Sequence, residues 1–256
     1  MASSDTLSIF VPGIGSSITQ TTTSGAKVTT VKAGDVLNTR VFPNRGRSIE
    51  DVKLKEPSSG DTRTTFSGDS KNITYTGNAD KNTVTFTGDA KNLTVKTGAG
   101  NDRLIANDIS KSTISLGSGD NTAVTGDLKN STITSGSGAD DITILGKADA
   151  AKISTGDGAD TLIFGAKVSN STILLGKGAD VVDFSAKIQN TWIDLGNDSD
   201  IDKVFFNSKG DIGHGTQIFG AGDGDLLIIG GEEYAFKSSD DGGYFISSHG
   251  DSITFG

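Results

Sequence analysis

Apolar residues along this chain return at every second position in short runs, and the runs themselves return at a near-constant interval. The segments LGSGDNTAVT, GSGADDITIL, GDGADTLIFG and GKGADVVDFS alternate with GDLKNSTITS, GKADAAKIST and AKVSNSTILL between residues 116 and 185. The true repeat is therefore about 20 residues, a period that indicates a solenoid or propeller. Such a repeat has room for two short strands and two tight turns, which is one coil of a flattened parallel β-roll.

Aligning the repeats gives columns. One strand contributes Ile73, Leu93, Ile114, Ile133, Ile153, Ile173 and Ile193, and two residues on, Tyr75, Val95, Leu116, Ser135, Thr155, Leu175 and Leu195. The facing strand contributes Val84, Leu104, Ala123, Ile142, Leu162 and Val182, then Phe86, Ala106, Thr125, Ile144, Phe164 and Phe184. Residues i and i+2 of a strand share a face, so all four columns point inward. A further inward residue sits in one turn, at Ala90, Ile109, Leu128, Ala148, Val168 and Ile188. No coil buries enough apolar surface alone, and stacking joins the coils into one core.

Composition shifts near residue 60. All three prolines, Pro12, Pro43 and Pro57, and four of the arginines (Arg40, Arg45, Arg47, Arg63) lie before this point or just after it. The expected fold is all-β: an N-terminal β module over 1–65, a right-handed parallel β-roll over 66–205, and a capping β segment over 206–256. Within the first part, KVTTVKAGDVLNTRVF reads as two strands around an Ala33-Gly34-Asp35 turn. A cap is needed because the last coil would otherwise leave an open edge.

The chain has 256 residues, 35 glycines, no cysteine, two histidines and a net charge of −9. Lack of cysteine excludes disulfides, thiol catalysis and cysteine-ligated zinc. A nucleic-acid partner would require a basic face, which this balance does not supply. No run approaches the roughly 18 apolar residues of a membrane span, and the first residues lack the pattern of a cleaved secretion signal.

One turn carries most of the polar chemistry. Its first glycine column is Gly98, Gly117, Gly136, Gly156, Gly176 and Gly196, and its second is Gly100, Gly119, Gly138, Gly158 and Gly178. Four residues after the first column stand Asp102, Asn121, Asp140, Asp160, Asp180 and Asp200. The copies GAGNDRL, GSGADDI, GDGADTL and GKGADVV resemble the repeats-in-toxin (RTX) nonapeptide, GGxGxDxUx. The resemblance covers roughly residues 97–205 and occupies one edge of the roll, without the first glycine of the family's doublet. It implies a β-roll in which Ca2+ is held between coils. Its ligands would be Asp102, Asp140, Asp160, Asp180 and Asp200, with the turn glycines Gly98, Gly100, Gly136, Gly138, Gly156, Gly158, Gly176 and Gly178. Coils about 4.8 Å apart bring like charges close, and calcium favours clustered carboxylates and carbonyls. The competing expectation is that each aspartate accepts hydrogen bonds from the amides of its own turn, with lysines such as Lys177 relieving the charge.

The remaining surface offers no cleft for catalysis or for a small-molecule substrate, so no catalytic residue is assigned and the chain is expected not to be an enzyme. Asp140 and Asp141 are adjacent but face opposite ways. Outward aliphatics Ile105, Val124, Ile163 and Val181, together with Trp192, are candidates for a contact face, although Trp192 reads more naturally as a plug against the last coils. Outward threonines begin but do not complete the array that ice binding needs, leaving that as a minor alternative. Lys-Asn pairs at 71–72, 81–82, 91–92 and 129–130 mark turns in which asparagine tolerates unusual backbone angles. The functional expectation is a structural or attachment protein of a larger assembly, on a cell surface or a virus particle, that contacts other proteins or itself. The alternative is a free, secreted calcium-binding protein of RTX type exported by type I secretion.

Overall fold

The computed structural model describes residues 5–10, 17–22, 26–33, 35–43, 48–239, 242–247 and 252–253. It is an all-β parallel solenoid of about nine coils with about 20 residues per coil. A representative coil runs through Thr94–Gly98, Arg103–Ala106 and Ile109–Ser110 before Thr113–Gly117 opens the next. Each segment pairs in parallel with its counterpart one coil away. The coil therefore has three sides where the repeat suggested two. The third is a sheet of eight two-residue strands, built on the column Ala90, Ile109, Leu128, Ala148, Val168 and Ile188, which the sequence had placed in a turn. Two residues cannot display the alternation by which a strand is recognised.

The second sheet keeps the anticipated register, with Val84 on Leu104, Ala123 on Ile142, and Leu162 on Val182. The first sheet keeps it too, with Ile114 on Ile133 and Ile153 on Ile173, except at one step, where it departs by two residues. Val95 pairs with Ile114 and Thr94 with Thr113, so Leu93 lies in line with Ser112, whose hydroxyl accepts its N–H at 2.9 Å. A two-residue slip preserves the face on which every side chain lies, and Ile73, Leu93, Val95, Ile114 and Leu116 are all buried. Coil lengths of 19 to 21 residues are too similar for spacing alone to separate these registers.

Parallel stacking is not confined to 66–205. Val36–Phe42 already pairs in parallel with Thr62–Phe66, and Lys203–Phe206 continues onto Leu226–Ile229. The expected hairpin is present, Lys27–Ala33 against Val36–Phe42, and its second strand doubles as part of the first coil. Asp5–Phe10 and Ser17–Thr22 form an antiparallel pair that joins Val52–Lys55. At the other end, Glu232–Ser239 and Gly242–Ser247 add antiparallel strands after Leu226–Ile229. Both ends of the parallel stack thus continue into antiparallel strands.

Register makes the core a set of like-on-like stacks. Phe164 and Phe184 lie 5.1 Å apart at an interplanar angle of 3°, and Phe206 continues the stack at 5.1 Å from Phe184. Phe184 is fully buried. The corner after the third sheet is left-handed in each coil, with positive φ at Asn72, Asn92, Asn130, Asn170 and Asn190 but also at Lys111 and Ala150. Asparagine is suited to this region, whereas a Cβ without a polar group costs roughly 1–2 kcal/mol there. The turn reading of the Lys-Asn pairs holds at 72, 92 and 130. Asn82 does not share it and belongs to the column described below.

Two outcomes follow for stability. Ala150→Asn at the left-handed corner (φ 51°) should raise the unfolding free energy by about 1 kcal/mol, read as a higher urea midpoint with the m-value unchanged. Phe184→Ala should lower stability by about 3–5 kcal/mol, measured in the same titration. Equal stability for either variant would contradict the assigned geometry.

Candidate functional site

The glycine turn lies between the first and second sheets. Its first glycines must be glycine for two reasons. Gly176 has φ +107°, and a Cβ there would overlap the carbonyl oxygen of Gly156 in the preceding coil. Coil-to-coil approach in this turn therefore leaves no room for a side chain.

The acidic residues of the turn form one continuous chain of hydrogen bonds. The backbone N–H of Asn82 donates to Asp102 Oδ1 at 2.7 Å, and that of Asp102 to Asn121 Oδ1 at 3.0 Å. Asn121 donates to Asp140 at 2.9 Å, Asp140 to Asp160 at 2.8 Å, and Asp160 to Asp180 at 2.7 Å. The chain continues from Asp180 to Asp202 at 2.8 Å and from Asp202 to Asp225 at 2.9 Å. From Asp102 to Asp225 each column Oδ1 thus accepts the amide of the column residue one coil before, while Asn82 Oδ1 accepts the Thr62 hydroxyl and the Asn78 amide of its own turn.

Asp200 does not belong to this column. It is exposed, and its amide donates to Asp198. The segment GNDSDID lengthens this coil by two residues, with Asn197 at positive φ, so Asp202 takes the buried position. Asn82 and Asp225 are further members that the sequence columns left out. Asn82 lies 20 residues before Asp102, and that spacing could have found it.

The second side-chain atom distinguishes asparagine from aspartate. Asn121 Nδ2 donates to the carbonyls of Gly117 at 3.2 Å and Gly119 at 2.7 Å. Asn82 Nδ2 likewise donates to the carbonyls of Asn78 and Asp80, at 3.2 and 2.6 Å. In the aspartate coils the corresponding atom is Oδ2, and in Asp102, Asp140, Asp160 and Asp180 it is buried with no hydrogen-bond partner. Asp225 differs, because its Oδ2 accepts the N–H of Gly222 at 2.7 Å. Burial raises the pKa of Asp102, Asp140, Asp160 and Asp225, opposed in part by the amide donors and by the side chains of Thr97 and Asn82 at Asp102, Asn121 and Ser135 at Asp140, and Thr155 at Asp160. For Asp180, burial and then the charges of Asp160, Asp202 and Asp198 raise it to about 8, against the amide of Asp160. Asp202 reaches about 7, from burial and then the charges of Asp225, Asp198 and Asp200, against the amide of Asp180.

Calcium takes six to eight oxygen ligands; the Oδ1 atoms of Asp102, Asp140, Asp160 and Asp180 each accept an amide, which leaves their buried Oδ2 atoms as the carboxylate oxygens open to a cation. The Gly136 carbonyl in the same turn accepts the Asp157 N–H at 2.8 Å. Among the described residues no three acidic or histidine side chains converge on a point that could hold a metal. Where asparagine occupies the column, an N–H group fills the place beside the turn carbonyls.

Other features lie apart from this turn. Ile105, Val124 and Ile163 form one outward column on the second sheet, with Val181 in the next column. Trp192 stands on the first sheet, so the five do not make a single face. It is 57% exposed and meets Phe219 edge-on at 5.8 Å, which makes it a surface residue and not a plug. Thr74, Thr94, Thr113 and Thr132 align outward and end at Lys152. Inside the first coils, buried Glu56 accepts the Thr64 hydroxyl while its Oε2 has no partner. Burial lifts its pKa to about 7, opposed by hydrogen bonds from Thr64 and Tyr75. Along the third sheet an open groove of about 440 Å³ is lined by Asp69, Asp89, Asp108 and Asp127 beside Lys71, Lys91 and Lys129. Asp69, Asp108 and Asp127 each accept a backbone N–H from the following coil.

Comparison with protein-family models, curated proteins and solved structures gave no match.

Gly176→Ala should cost about 2 kcal/mol or more, from the positive φ and the overlap with Gly156 together. Thermal unfolding checks this, and an unchanged midpoint would mean the coils do not approach as described.

Proposed function

We propose that this chain is a non-enzymatic structural or attachment module, a stiff spacer carried by a larger assembly on a cell surface or virus particle. The observation that carries the reading is the uninterrupted coil-on-coil register from Val36–Phe42 to Leu226–Ile229. At about 4.8 Å per coil, nine coils make a rod roughly 40 Å long whose core is continuous from end to end. Every described coil is braced by backbone hydrogen bonds to both neighbours, so bending it requires breaking a parallel ladder. That is a mechanical property, and it supports a spacer better than a site that must open and close.

The two ends support the same reading. Antiparallel strands extend the first and second sheets at the N-terminal end and the second sheet at the C-terminal end, which covers parallel edges that would otherwise template end-to-end polymers. Contact with neighbours would fall to its sides and terminal strands, where the outward aliphatics Ile105, Val124 and Ile163 and the Trp192–Phe219 pair offer small apolar patches.

Lysine cross-linking of producing cells and their medium, followed by mass spectrometry, tests this. Cross-links from this chain to other proteins of a particulate fraction, or to further copies of itself there, are expected. Recovery only as free monomer in the medium would contradict attachment and favour a secreted protein.

A further inference from the structure

On the outer face of the second sheet, pairing in register sets each outward residue over its counterpart one coil away, so the face reads in straight columns. In one column Arg103 and Asp141 stand one coil to either side of Thr122. In its neighbour Ile105, Val124 and Ile163 interrupt threonines. The coil of Thr122 and Val124 is a centre about which the face complements itself. Arg63 with Thr65 lies three coils before it, and Val181 with Asp183 three coils after. Asn38 with Arg40 and Lys203 with Phe205 lie four coils away on opposite sides.

We propose that this face binds a second copy of the chain, forming a side-by-side dimer of antiparallel rods about a two-fold axis along Thr122–Thr125. An isologous contact of this kind sets each residue against the one equally far on the other side of the axis. Arg103 of each copy then meets Asp141 of the other, twice by symmetry. Val124 meets Val124 on the axis, and Ile105 and Ile163 meet the methyl-bearing Thr143 and Thr85. Arg40 meets Phe205, a cation beside an aromatic ring, and Lys203 meets Asn38. Arg63 lies diagonal to Asp183, within reach of a long side chain. No two like charges stand directly opposite.

Other alignments lose this match. With the axis one coil toward the C-terminus Asp141 meets Asp141, and one coil toward the N-terminus Arg103 meets Arg103. Half a coil toward the C-terminus sets Arg63 against Lys203. Half a coil the other way pairs Arg40 with Asp183 but leaves Arg103 and Asp141 opposite threonines. Parallel rods exchange the two columns, so Arg103 would face Ile105. Misalignment is thus penalised by charge, which is how specific contacts exclude their competitors. The chain's net charge of −9 opposes self-contact in general, but this face sets Arg40, Arg63, Arg103 and Lys203 against Asp141 and Asp183. Nine coils by four residues span about 40 Å by about 13 Å. Pairing therefore buries on the order of 1,000 Å² over both copies, the lower bound for a specific interface.

The proposal rests on the reading of this chain as an attachment module and names one of its partners. Its test uses the purified full chain alone, by sedimentation velocity from about 1 μM to about 0.1 mM. Wild type should dimerise within this range. Arg103→Glu and Asp141→Arg should each raise the dissociation constant by about tenfold or more. Mixing the two variants should restore a dimer, because each supplies the charge the other lacks. Both residues are exposed, so neither change disturbs the core. A wild type that stays monomeric would overturn the pairing and leave attachment to other proteins standing. A dimer that neither variant weakens would also overturn it, as would variants of native circular dichroism that stay monomeric when mixed. Bismaleimide cross-linking reads the axis, since the chain has no cysteine of its own. Val124→Cys should cross-link to itself, and Thr83→Cys should not, because it lies opposite Thr161 of the reversed copy. Self-cross-linking of Thr83→Cys as efficient as that of Val124→Cys would overturn the antiparallel arrangement.

Discussion

Stacking in register places each residue against its own counterpart one coil away, and this constraint shapes the whole molecule. It favours residues that gain from meeting their like. Phenylalanines stack face to face, isoleucines fill one column, and asparagines repeat at the left-handed corner. It penalises like charges, which recur at the coil spacing. The glycine turn is where the penalty is sharpest, because the aspartates there are buried as well as aligned. The chain meets it by using one carboxyl oxygen to accept the preceding coil's amide. The other oxygen must be met by something else.

The resulting chain of hydrogen bonds therefore belongs to the fold as much as to a site. The amide-to-carboxyl chain runs from Asn82 to Asp225 and ties every coil it passes to the next, in the turn where glycine has already removed side-chain packing. Asn121 interrupts the acids without interrupting the bonds.

Much of this was legible in the sequence because β-solenoid geometry is periodic. The alternation of apolar residues predicted the inward faces, and the 20-residue repeat predicted parallel stacking. What escaped had physical causes. The third sheet has strands of two residues, too short to alternate. The first-sheet register slipped by two residues at Leu93 because such a slip leaves every side chain on its own face. Asp200 stood in for Asp202 because the added residues of GNDSDID shift the column without altering its composition. Asn82 was read with the Lys-Asn corners, although its neighbours in space are Asp102 and Thr62. The glycine-aspartate turn itself was plain. Its chemistry was not, since spacing does not tell which carboxyl oxygen an amide already holds.

The most direct measurement is the proton balance of unfolding at neutral pH. It can be taken from potentiometric titration of native and denatured protein, or from calorimetry in buffers of different ionisation enthalpy. Burial that raises the pKa of Glu56, Asp180 and Asp202 predicts that unfolding releases protons in calcium-free solution, and that Asp180→Asn releases fewer. No release, or a net uptake, would contradict the account.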